Sequence, residues 1–141
     1  MPSTVTFLRV RRIPSCPDRD AFLARYARQV NHFIIWNQDW IGSGQSVRFI
    51  ERGLDWYLEN VGDTNRARIT EWFARHDEIS PQFGRPWRDV HFFWQWGIVS
   101  ADLMARMREL GFVLDHFDNG GVWSERYPNI QQNAYLFSRR R

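Results

Sequence analysis

Residues 90–117 read VHFFWQWGIVSADLMARMRELGFVLDHF. The first seven, 90–96, are β-branched or aromatic apart from His91 and Gln95, the composition of a strand buried on both faces. Ser100 is placed to cap a helix with Asp102 in its first turn, and Leu103, Met104, Met107 and Leu110 form a stripe at helical spacing that Gly111 terminates. FVLDHF, 112–117, then returns as a strand. The unit is strand, short helix, strand, and if the two strands are parallel neighbours the crossover is right-handed.

Working outward, Asn119-Gly120-Gly121 is a turn signal, and NAYLFS at 133–138 is the last strand, followed by an arginine tail. Upstream, 80–88 is a loop by its Pro and Gly content. Ile69, Trp72, Phe73 and His76 line one side of a helix over 64–77. Val47, Ile50, Leu54, Leu58 and Val61 fall at spacings of 3, 4, 4 and 3, a second amphipathic helix weakened by Gly53. Before Gly42-Ser43-Gly44, HFIIW at 32–36 fits either the end of a helix over 18–31, capped by Asp18, or a short strand. TVTFLRVRRI, 4–13, alternates as a strand, closed by Pro14 and Pro17. The expected architecture is one α+β domain over 1–141, with a sheet of three to five strands and about four helices packed mainly on one face.

The 141 residues are enough to bury a core without staples. One cysteine, Cys16, cannot form an internal disulfide, and Met1–Val5 shows no basic segment leading into an apolar run. No apolar stretch approaches the ~18 residues that span a bilayer, so the expectation is a cytoplasmic protein with no membrane partner. The net charge is +3, and all 19 basic residues are Arg. Without Lys there is no Schiff-base chemistry, no P-loop lysine and no lysine general base.

Catalytic signatures are sparse. His91 and His116 lie on expected strands and, with Asp115 and Asp118, form a candidate acid–base pair or metal site for a small hydrolase. Their spacing fits no established ligand pattern, and an ordinary strand histidine is the plainer account. Gly42-Ser43-Gly44-Gln45 precedes an expected helix but lacks a third glycine at dinucleotide spacing and a lysine after it. No catalytic, cofactor-binding or metal residue is assigned, and no cofactor is expected.

Two features point to binding. Arg9, Arg11 and Arg12 on the first strand would share an edge with Arg139, Arg140 and Arg141 if the terminal strands are adjacent, which supports a nucleic-acid partner. Eight Trp are more than a core of this size easily holds, and Trp, Tyr and Arg dominate interface hot spots. Trp40, Trp87, Arg88, Trp123, Arg126 and Tyr127 are therefore the candidate partner-binding residues.

The run SADLMARMRELGFVLDHFD at 100–118, after its hydrophobic strand, resembles the C-terminal half of small uncharacterised bacterial α+β proteins of the toxin-immunity type. That resemblance implies a non-catalytic protein that neutralises a toxin or enzyme by occluding its site, and the basic balance implies an acidic partner surface. Nucleic-acid binding is the alternative, and the His91/His116 hydrolase the second.

Overall fold

Alternation, rather than helical spacing, governs residues 32–40: Phe33, Ile35, Asn37 and Asp39 are buried in turn, and HFIIW opens a nine-residue strand. In the computed structural model, which describes residues 6–11, 18–61, 66–90 and 94–141, this strand organises the sheet. The elements are β1 (Phe7–Arg11), α1 (Arg19–Ala27), β2 (His32–Trp40), β3 (Val47–Arg48), α2 (Leu54–Asn60), α3 (Arg66–Arg75), β4 (Trp96–Gly97), α4 (Ser100–Glu109), β5 (Phe112–Ser124) and β6 (Tyr127–Arg139). Short 3-10 turns occupy Phe49–Arg52 and Trp87–Asp89. The strand order is β1-β2-β6-β5, with β1 and β2 parallel and the others antiparallel; β3 and β4 pair separately. Among the described residues this is an α+β domain with four helices, as the sequence leads one to expect.

The inner face of the sheet carries Val10, Phe33, Ile35, Tyr135 and Phe137, covered by Leu23 and Ala27 of α1 and by Leu103 and Met107 of α4. A second core lies past the carboxyl end of β2, where Trp40, Phe49, Tyr57, Ile69, Trp72 and Ile130 meet. At roughly 1.5–3 kcal/mol per fully buried large apolar side chain, these two clusters are the main favourable term in folding.

Several expectations change. The helix over 47–61 is interrupted: β3 and a 3-10 turn come first, and α2 starts only after Gly53, whose backbone (φ 90°, ψ 165°) no helix contains. Asn119-Gly120-Gly121 is a bulge inside β5 and not a reversal; Gly121 N–H donates to Asn119 Oδ1 at 2.8 Å, and the chain turns at Glu125-Arg126. The final strand therefore starts at Tyr127, six residues before the expected 133. Ser100 is the first helical residue rather than the cap of α4. Among the described residues of that expected strand, Trp96 joins Gly97 in the short β4, which pairs with β3, while β5 pairs with β6, so β4 and β5 are not parallel neighbours. Part of the first expected strand (4–5 and 12–13), with Arg12, and His91 lie outside the described residues.

Candidate functional site at the carboxyl end of the parallel strands

In an open sheet with parallel strands, ligands bind beyond the strands' carboxyl ends. Here that end holds the loop after β2, the β5–β6 tip, where Ser124 pairs with Tyr127, and the second core. β2 stops because Gly42-Ser43-Gly44 turns back over Trp40, whose indole N–H donates to Ser43 Oγ at 2.8 Å; the Ser43 hydroxyl donates to the Gln45 carbonyl at 2.9 Å. Ser46 ties the loop to α4, donating to Asp102 Oδ2 at 2.5 Å and accepting from Val99 N–H at 3.0 Å. A cleft of about 600 Å³ opens along this loop, lined by Ser43, Gln45, Ser46, Arg48, Glu51 and Arg52. Arg48 lies 3.2 Å from Asp89 and 4.0 Å from Glu51, while Arg52 stacks over Trp56, its guanidinium carbon 5.3 Å from the ring centre.

On the inner face of the sheet, a polar layer ends β2. Asp39 accepts from Asn37 Nδ2 at 2.5 Å, from Asn133 Nδ2 at 2.6 Å and from the Tyr135 hydroxyl, whose oxygen sits 2.7 Å from Ser100 Oγ. Asp39, Asn37 and Asn133 are all buried. Burial raises the Asp39 pKa above the usual carboxylate value, and its three donors offset that rise only in part. Burial first, then the neighbouring Asp39 charge, raises the Tyr135 pKa well above the usual phenol range.

The six residues singled out from sequence divide. Trp123 is exposed, 5.0 Å from Trp94 and stacked on Tyr127 at 5.4 Å; Arg126 lies at the hairpin tip over the Tyr127 ring. Trp40 and Tyr127 are buried at 4% and 7%, so they are core residues and not surface anchors. Trp87 is half-buried against α3, beside a small cavity of about 190 Å³ that also touches Trp72 and Arg75. Arg88 pairs with Asp77. Among the described residues Trp36 and Trp123 are exposed, Trp56, Trp87, Trp94 and Trp96 are half-buried, and Trp40 and Trp72 are buried.

Two constellations lapse. β2 lies between β1 and β6, and the Arg139 side chain donates to the carbonyls of Ala27 and Val30, so among the described residues the arginines of β1 and of the tail do not share one strand edge. His116 is exposed on β5, and its proposed companion His91 lies outside the described residues. No group of three or more His, Cys, Asp or Glu among the described residues is placed to hold a metal ion. Sequence reading missed Asp39, Trp36 and the cleft residues Arg48, Glu51 and Arg52. Strict alternation from Phe33 was the available signal for the first two.

No family model matches the sequence, and no curated protein does. Two solved structures are similar in fold. One is the N-terminal domain of EvdMO1, crystallised in the presence of SAH and D-fucose (11% identity, TM-score 0.49). The other is a SAM-dependent methyltransferase from Methanosarcina mazei (10% identity, TM-score 0.50). The matches cover 96% and 99% of this chain but only 47% and 63% of those two. That likeness in fold to a methyltransferase goes against the reading as a non-catalytic immunity or inhibitor protein and against the expectation that the chain is no enzyme. No helix among the described residues is long and apolar enough to cross a membrane.

Proposed function

We propose that this chain forms the acceptor-binding side of a methyltransferase-type domain working in the cytoplasm, where its single Cys16 stays reduced. The observation that carries the reading is the cleft at the carboxyl end of β2, where this class of sheet binds ligands, in a fold similar over its whole length to part of a methyltransferase. Its lining suits a small polar acceptor: the Arg52 guanidinium for a carboxylate or phosphate, Ser43 and Gln45 for hydroxyl groups.

The described residues do not fit S-adenosylmethionine itself. Binding a nucleotide group in such a sheet calls for a glycine-rich turn from a parallel strand into a helix. Among the described residues the one such loop, at 42–44, leads to β3 and a 3-10 turn, and the space a Cβ would take at Gly42 is filled by the Trp40 ring. The β1–α1 connection, residues 12–17, contains no glycine. This chain's part is thus to hold and orient the acceptor.

The test is methyl transfer from labelled S-adenosylmethionine by the protein purified from its native cells with its associated polypeptides, against a panel of small hydroxylated carboxylates and phosphates. Arg52→Ala is expected to raise the acceptor KM about 10- to 100-fold, the loss of one charge-assisted hydrogen bond, with SAH affinity unchanged. Absence of transfer to every acceptor, or an unchanged KM in Arg52→Ala, overturns the reading.

A further inference from the structure

At the β5 edge, the inner face of the sheet is only partly covered by α4. Phe112 is buried there, but Leu114 and Phe117, the next residues on that face, are each 40% exposed. A bulge at Asp115 keeps Phe117 on the same side as Leu114, with its ring 5.1 Å from that of Tyr135. Between α4 and this edge lies a cavity of about 310 Å³. Its walls are Met104 of α4, Phe112 and Leu114 of β5, and Phe137 of β6, which is paired with Leu114.

Two cations stand on the rim of this apolar space. Arg108 follows Met104 by one turn of α4, and Arg140 comes directly after β6. The Arg140 backbone N–H donates to the Gly111 carbonyl at 2.7 Å, which fixes where its side chain starts. Neither guanidinium forms an ion pair with a carboxylate of the described residues: Glu109 is paired with Arg106 at 3.2 Å, and Asp115 accepts from the Ser138 hydroxyl. An apolar pocket with two unneutralised guanidinium groups at its mouth complements an anion that has an apolar body.

Size narrows the class. At about 30 Å³ for each water-sized group, the cavity holds about ten heavy atoms. A carboxylate takes three of these and leaves about seven carbons for the apolar walls. Small-molecule sites begin at about 300 Å³, whereas a stable protein partner covers about 800 Å² of surface, far more than this gap presents. The gap is also distinct from the cleft at 43–52. Asp102, in the first turn of α4, holds Ser46 of that cleft, and Arg108 lies six residues, about 9 Å, further along the helix.

We infer that the gap between α4 and β5 binds a medium-chain carboxylate, its tail against Met104, Leu114 and Phe137 and its head between Arg108 and Arg140.

The experiment titrates the full chain with octanoate, followed by calorimetry and by the methyl NMR signals of Met104, Val113 and Leu114. Saturable binding is expected with a Kd of about 0.1–1 mM, the range for about ten heavy atoms, with shifts centred on those three methyl-bearing residues. Octanol, which has the tail without the charge, and acetate, which has the charge without the tail, are expected to bind about tenfold more weakly or worse. Combining Arg108→Ala with Arg140→Ala weakens octanoate binding about tenfold, a modest loss because both side chains are exposed. Leu114→Glu, at a half-open edge position, abolishes it; near-UV circular dichroism checks that variant's fold, and the double arginine variant decides the matter if the fold is lost. No saturation by about 10 mM, equal affinity for octanol, shifts centred elsewhere, or unchanged affinity in the double arginine variant overturns the inference. A dimer that Leu114→Glu disperses and octanoate does not would give the face to a second copy. Attachment to phosphatidylglycerol vesicles without saturable octanoate binding would give it to a membrane surface. Either result overturns the inference too.

Discussion

Gly97→Ala tests whether the second core is as tightly closed as its geometry states. A Cβ built at Gly97 falls 2.6 and 2.7 Å from two atoms of the Phe49 ring and 2.8 Å from Trp40 Cγ, against a normal carbon–carbon contact of about 3.5–4.0 Å. Neither ring has room to swing away, since Phe49 and Trp40 are buried and pack edge to face at 5.3 Å. The backbone cannot easily retreat either, because Gly97 is paired with Val47. Overpacking of this kind costs about 1–3 kcal/mol, and two immobile rings put the expected value at about 2–3. For a chain of this size that corresponds to a fall in Tm of about 6–15 °C. Urea unfolding followed by tryptophan fluorescence measures it, with Gly44→Ala as reference. A Cβ at Gly44 meets nothing within 4 Å, so that variant is expected within about 0.5 kcal/mol of the parent, on the stabilising side. Equal stabilities for the two variants would show that Trp40 and Phe49 are not held as described.

Asp39→Asn is expected to flatten the pH dependence of stability. With its folded pKa raised above 3.8, Asp39 keeps its proton in the folded chain after the unfolded chain has lost it, so stability falls as pH rises from about 4 through the folded value. Urea midpoints between pH 3.5 and 8 should show that slope in the parent and less of it in the variant; parallel curves would remove Asp39 as the cause. Gly53→Ala meets no steric obstacle yet forces a side chain into φ 90°, ψ 165°, so it is expected to lower stability by about 1–3 kcal/mol, although alanine is the better helix former; a gain would mean that helix 47–61 can run through.

Where one residue type settles a local choice, the sequence was legible. Asp18 caps α1 as expected, its carboxylate accepting from Ala21 N–H at 3.0 Å, and Gly111 follows the end of α4. Spacing alone misled at 47–61: Val47, Ile50, Leu54, Leu58 and Val61 all face apolar surroundings, which helical spacing cannot distinguish from a strand, a 3-10 turn and a shorter helix packed on the same core. At 119–121 the glycines signalled a reversal, but β6 supplies partners on both sides of them, and pairing with a 13-residue strand turned the reversal into a bulge.

The site was less legible because it is a product of strand order. The decision that β6 enters between β2 and β5, rather than β1, is made by long-range pairing, with Phe33 opposite Phe137 and Ile35 opposite Tyr135, more than a hundred residues apart or nearly so. That insertion brings Asn133 and Tyr135 onto Asp39 and sets the Trp123–Tyr127 tip beside the carboxyl end of β2; it also keeps the arginines of β1 away from those of the tail. A composition count could say that indoles exceed the core, but the face they reach depends on which side the helices leave uncovered. Both α1 and α4 pack inward, so Trp36, one of two outward residues between Phe33 and Asn37, is left exposed. Its exposure is thus a consequence of topology, and the same topology leaves β1 and β5 as the two edges of the sheet.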